Sequence, residues 1–157
     1  MPKYSIDTSA LVAGWSRLYP PENFPGFWDG FSDLVEGEAV VASREVLREI
    51  ERRDDHLYAW CKDREYMFIE ADEECQNRVI GIMTDYPRFV DTRTGKSACD
   101  PFVIALAGTY RPKLTVVTEE RGGVPNRPKI PNVCLAEKID CISLLEMIQK
   151  LGWRFTR

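Results

Sequence analysis

Short, nearly continuous apolar runs alternate along this chain with longer stretches whose apolar residues recur every three or four positions. The runs at residues 3–7, Ala39–Ala42, Tyr66–Ile69, Leu114–Thr118 and Ile139–Ile142 read as buried strands. Between them the spacing becomes helical. Asp7-Thr8-Ser9 caps a helical start at Ala10–Ala13. A second helix runs from Pro25 or Gly26 to about Val35, with Phe27, Phe31, Leu34 and Val35 on one face and Gly37 as its stop. Ser43 caps a helix with Val46, Leu47 and Ile50 inward, and another follows through Leu57, Tyr58 and Trp60. Asp72 to Tyr86 turns Cys75, Val79, Ile82 and Met83 to one side. Further helices are predicted from Asp100 to Ala107 and, capped by Ser143, from Leu144 to Leu151. Pro20 and Pro21 break regular structure in the aromatic stretch Tyr19–Trp28, which reads as a lid or a surface for a partner protein. Pro87–Gly95 and Gly122–Pro131 read as irregular. Strands alternating with helices predict an α/β fold with a mainly parallel sheet.

At 157 residues, the chain is read as one domain, 1–157. A hydrophobic share of 44% fits a well-filled core. No apolar run reaches the length of a membrane span, and Met1-Pro2-Lys3-Tyr4 lacks the apolar stretch of a secretory signal. A cytoplasmic protein with no membrane partner is expected. The five cysteines show no CxxC spacing and there is one histidine, His56, which argues against zinc and for buried reduced thiols. The net charge of −4 argues against broad, nonspecific affinity for nucleic acid. It leaves room for a nuclease, because a bound cation brings its own positive charge to an acidic site.

Charge changes the picture most where acids stand at the ends of predicted elements. Asp7 closes the first strand; Glu49 lies between inward-facing Leu47 and Ile50; Asp100 opens a helix before Pro101; Glu119 and Glu120 follow the fourth strand. Each has an ordinary explanation. Asp7 and Asp100 suit helix caps, Glu49 lies on a face crowded with Arg44, Glu45, Arg48, Glu51, Arg52 and Arg53, and paired glutamates suit a solvated turn. Together they are what a hard divalent cation such as Mg²⁺ needs, and such a cluster serves phosphoryl chemistry through a metal-activated water.

The same residues carry a resemblance. Tyr19-Pro20 with Phe24-Pro25-Gly26-Phe27-Trp28, then Trp60, Asp100-Pro101-Phe102, Val117-Thr118-Glu119-Glu120 and Lys129-Ile130-Pro131-Asn132-Val133-Cys134, in this order, resemble the DUF4411 group of PIN-like proteins. The likeness extends from about Tyr4 to Trp153. It implies a three-layer α/β/α PIN-like fold and a metal-dependent endoribonuclease, the toxin of a toxin–antitoxin pair. It also implies Asp7, Glu49 and Asp100 as catalytic metal ligands, with Thr8 and Ser9 supporting Asp7 by hydrogen bonds. The fourth acid follows the strand-ending Thr118 and is Glu119 or Glu120. Alternation along an extended chain puts Thr118 and Glu120 on one side, favouring Glu120.

Cleavage of RNA with Mg²⁺ or Mn²⁺ as cofactor is therefore expected, with an antitoxin protein and a second copy of the chain as candidate partners. Arg44, Arg48, Arg121, Arg127 and Lys129 are candidates for contacts to RNA phosphates. The alternatives are a noncatalytic PIN-like binding module and an unrelated α/β phosphohydrolase. Thr94-Gly95-Lys96-Ser97 imitates the end of a phosphate-binding loop but has Val90 where the first glycine is needed. Lys96 is thus a surface residue or an RNA phosphate contact. His56 reads as solvated, and Trp15, Trp28, Trp60 and Trp153 as packing residues.

Overall fold

β-branched and apolar residues in short runs build a sheet buried on both faces. The computed structural model describes residues 1–157. Its strands are β1 (Tyr4–Ile6), β2 (Val40–Ser43), β3 (Phe68–Ile69), β4 (Thr115–Val117) and β5 (Cys141–Ile142). All pair in parallel, in the order β3-β2-β1-β4-β5. Register sets Tyr4 opposite both Val40 and Thr115. Central β1 and β2 are buried at every position, as expected where helices cover both faces.

The helices are α1 (Thr8–Ala13), α2 (Pro25–Glu36), α3 (Arg44–Glu51), α4 (Asp55–Lys62), α5 (Glu73–Asp85), α6 (Asp100–Thr109), α7 (Ile130–Ala136) and α8 (Leu144–Leu151). From β1 the chain steps outward through β2 to β3, then returns past β1 to β4 and β5. α1–α4 pack together in one layer and α5–α7 in another, as right-handed crossovers running in opposite directions along the sheet would place them. The result is a three-layer α/β/α fold. No helix is long and apolar enough to cross a membrane.

Local chemistry explains most element ends. The side chains of Asp7, Ser43, Asp54, Asp72 and Ser143 each accept a hydrogen bond from a backbone N–H in the first turn of the following helix. Ser43, which accepts from Glu45 N–H at 3.2 Å, joins β2 to α3. Ser43→Ala is expected to lower stability by about 1 kcal/mol, read as a shift in the urea midpoint at unchanged slope.

Several expectations need correction. Tyr66–Ile69 forms a strand only at Phe68–Ile69; Glu65–Met67 is a 3₁₀ turn and Tyr66 is exposed, since an edge position offers its side chain nothing to pack on. Met83 faces solvent, and the buried side of α5 ends with Ile82. Asp100 is the first residue of α6 and not its cap, a place held by Cys99. Residues from Ile130 form a helix that the irregular reading of Gly122–Pro131 cut into. Its apolar face is Ile130, Val133 and Cys134, a helical spacing that the glycines and prolines upstream obscured.

The aromatic stretch Tyr19–Trp28 is not a free lid. Phe27 and Trp28 are buried, Tyr19 stacks on Phe27 at 4.6 Å, and Trp28 Nε1–H donates to the Tyr19 carbonyl at 2.6 Å. A π-helical turn, Gly14–Leu18, extends α1 and sets Trp15 against Trp28 and Trp60. Packing there holds Tyr19, Phe27 and Trp28, while Phe24 remains exposed. His56 is exposed, as expected, and all five cysteines are free, with Cys141 half-buried and the others buried.

Candidate functional site

A parallel sheet whose chain reverses direction opens a crevice beyond the carboxyl ends of the two strands at the reversal. Here these strands are β1 and β4. Asp7 leaves the end of β1, and Thr118, Glu119 and Glu120 leave the end of β4. Backbone bonds hold this edge in register: Asp7 N–H donates to the Val117 carbonyl and Thr118 N–H to the Ile142 carbonyl, both at 3.0 Å.

Asp7 is buried and densely bonded. Its Oδ1 accepts from Ala10 N–H at 2.8 Å and lies 2.9 Å from Ser9 Oγ. Its Oδ2 accepts from Thr118 Oγ1 at 2.5 Å and lies 2.8 Å from Ser9 Oγ. Each hydroxyl is oriented in turn from behind. Ser9 Oγ accepts Glu119 N–H, and Thr118 Oγ1 accepts Glu120 N–H, both at 3.0 Å. Ser9 and Thr118 thus tie the end of β4 to the carboxylate of β1. Burial nevertheless pushes the Asp7 carboxyl up to about 7; these hydrogen bonds oppose the shift and the Glu120 charge adds to it.

Asp100 reaches the same crevice from the opposite layer. α6 is apolar on nearly all sides and lies between the sheet and α5, with the Ser5 hydroxyl donating to the Val103 carbonyl at 3.0 Å. This contact and the Thr8–Cys99 contact at 3.5 Å set the first turn of α6 beside the start of α1. Asp100 Oδ2 is buried and has no hydrogen-bond partner. Its carboxyl is pushed up to about 8, first by burial, then by the charges of Glu120, Asp7 and Glu49; the Ser97 hydroxyl pulls it slightly down.

The remaining acids divide. Glu120 acts on both aspartates and accepts from Ile130 N–H at 3.4 Å. Glu49 is half-buried on α3, 3.5 Å from Arg53, and acts on Asp100. Glu119 acts elsewhere: its charge, after burial, raises the Tyr19 hydroxyl, and it lines the cavity at the ends of β4 and β5 beside Glu120. β4 ends at Val117, so strand alternation does not reach Glu119 and Glu120, and hydrogen bonds to the Ser9 and Thr118 hydroxyls hold their backbone instead. The Thr8 hydroxyl makes no hydrogen bond to the Asp7 carboxylate; it contacts Cys99.

Cys99 and Ser97 were not singled out in the sequence. The Cys99 thiol is held protonated by burial and by Glu49, and it fills the space between Thr8 and Asp100. Ser97 adopts a left-handed backbone, φ 66°, uncommon for a residue with a side chain. Cys99 carried no local signal, because α1 and α3 bring Thr8 and Glu49 against it, whereas Ser97 acts locally on Asp100 three residues on.

Residues 4–155 match a family described as a domain of unknown function (DUF4411). The chain belongs to the DUF4411 family. No curated protein matches it. In this DUF4411 protein, as its side chains stand, no three acidic, histidine or cysteine groups form a ready coordination shell. The fit of a cation rests on charge and desolvation. Two buried carboxyls are raised first by burial, Asp100 further by Glu120, Asp7 and Glu49 and Asp7 further by Glu120, and one buried oxygen lacks any donor. An all-oxygen donor set of this kind suits Mg²⁺ or Mn²⁺. A cavity of about 500 Å³ at the ends of β4 and β5, lined in part by Thr118, Glu120, Arg121 and Ser143, leaves room beside it.

Proposed function

We propose that this protein is a PIN-like endoribonuclease dependent on Mg²⁺ or Mn²⁺. The observation that carries the reading is the buried, unpartnered Oδ2 of Asp100, set among the charges of Asp7, Glu49 and Glu120 at the sheet's reversal point. A buried carboxylate oxygen without a donor is costly unless a cation meets it. Asp7, Asp100 and Glu120 would hold the ion, with Glu49 on the Asp100 side. A bound divalent cation lowers the pKa of a water and offsets charge developing on a phosphodiester. Ser9 and Thr118 hold both Asp7 oxygens in place, and Glu119 is left out of the proposed ligand set. The toxin role, an antitoxin partner and self-association rest on the resemblance alone.

The purified protein is expected to cleave single-stranded RNA when Mg²⁺ or Mn²⁺ is supplied and to stop in chelator. RNA binding without cleavage would support a noncatalytic module, and turnover confined to small phosphoesters would support a phosphohydrolase. The glutamates provide a sharper test. Glu120→Gln is expected to lower metal-dependent cleavage at least about tenfold, whereas Glu119→Gln leaves it within about twofold. Equal losses, or a larger loss at Glu119, would remove Glu120 from the site.

A further inference from the structure

Beside the acidic crevice lies a cavity of about 440 Å³ whose walls are the loop before α6 and the loop before α7. Arg88, Arg93 and Lys96 line one wall, Arg127 and Lys129 the other, against a single carboxylate, Asp91. That concentration of cations is unusual in a chain of net charge −4. Asp91 is partly occupied by Arg93, 3.8 Å away, and none of the other four cations takes part in an ion pair. Arg44 and Arg48, by contrast, are engaged with Glu65, Glu45 and Glu70.

Both walls are built and lead to the acids. Asp91 N–H donates to the Lys96 carbonyl at 3.1 Å and Asp91 Oδ1 accepts Arg93 N–H at 3.0 Å, closing the first loop. That loop ends at Ser97, whose carbonyl accepts Asp100 N–H at 3.0 Å. In the second, Asn132 Oδ1 accepts both Gly123 N–H at 2.7 Å and Lys129 N–H at 2.9 Å. Gly123 is required by this closure, because a Cβ there would lie 2.2 Å from the Arg127 carbonyl oxygen. The loop ends beside Ile130, whose N–H bonds Glu120. Each wall is thus one short backbone step from a site carboxylate.

We propose that this cleft is the track for the sugar–phosphate backbone of single-stranded RNA, holding phosphates that flank the one at the acidic cluster. The proposal rests on the ribonuclease reading for the identity of the strand. Unpaired cations beside an acidic pocket keep a polyanion attached where the pocket alone would repel it. Phe89, the aromatic residue of the lining, is buried, so the cleft offers no exposed aromatic face for stacking a base. Recognition is therefore by phosphate charge, tolerant of sequence and strongly dependent on salt.

The test is binding in chelator, by fluorescence anisotropy of a short labelled single-stranded RNA, on the Asp100→Asn background. Lys96→Ala/Arg127→Ala is expected to weaken binding about tenfold at low salt and to reduce the slope of log affinity against log salt by about 1.4, at roughly 0.7 per phosphate contact. Lys150→Ala/Arg154→Ala, which removes the same charge outside the cleft, is expected to change neither. Equal weakening by the two pairs, or none by either, overturns the cleft. Absent cleavage by the wild-type protein with the binding pattern intact would instead remove the nuclease reading and leave a phosphate-backbone cleft.

Discussion

Asp100→Asn and Asp7→Asn are each expected to lower metal-dependent RNA cleavage about 10³-fold, equivalent to about 4 kcal/mol of lost transition-state stabilisation. Both variants should remain folded. Asparagine has the size of aspartate, so the packing of α6 and α1 against β1 is unchanged. At position 100 it removes a buried negative charge whose Oδ2 has no donor. At position 7 it keeps one oxygen to accept Ala10 N–H, and the Ser9 and Thr118 hydroxyls can turn to accept from its amide. The proposed loss is therefore chemical and not structural. Single-turnover cleavage at saturating Mg²⁺, with far-ultraviolet circular dichroism as a folding check, measures it. Full activity in either variant would remove that carboxylate from the mechanism.

The second large effect is on stability in the absence of metal. An ordinary aspartate in an unfolded chain titrates near pH 4. In the folded protein the Asp7 and Asp100 carboxyls are pushed up to about 7 and about 8, both first by burial. Between these values and pH 4 the folded state holds more protons than the unfolded state. Stability from these groups is thus complete below about pH 4 and is lost as pH rises through about 8. In chelator, urea unfolding at pH 5.5 and pH 8 is expected to differ on the order of a few kcal/mol, the higher pH being less stable. Asp100→Asn should shrink the difference. Mg²⁺ should raise stability most at pH 8, where the carboxylates that would hold it are ionised. A stability in chelator that is flat or rises over this interval would contradict the electrostatics of the crevice.

Much of the architecture was legible in local pattern. Short, nearly continuous apolar runs and period-3.6 apolar spacing, with Asp7, Ser43 and Ser143 as helix caps, marked a parallel α/β chain. These features are encoded within a few residues, so the sequence displays them directly. The edge strand β3 and helix α7 were less legible. The exposed Tyr66 makes an apolar run without a strand, and glycine and proline beside Ile130 hid a helical face.

The sequence by itself determined which acids stand at element ends, and that oxygen-bearing side chains, with one histidine and no CxxC pair, dominate there. Only the tertiary structure decided what those acids face. Thr118 meets Asp7 across 111 positions of chain, and Thr8 meets Cys99 across 91, because β1 pairs with β4 and α6 lies over both. The raised carboxyls, the unpartnered Oδ2 of Asp100 and the joining of Lys96 with Arg127 in one cleft arise from that packing. Burial and charge coupling depend on distance in space, which residues far apart in sequence acquire only when the sheet forms.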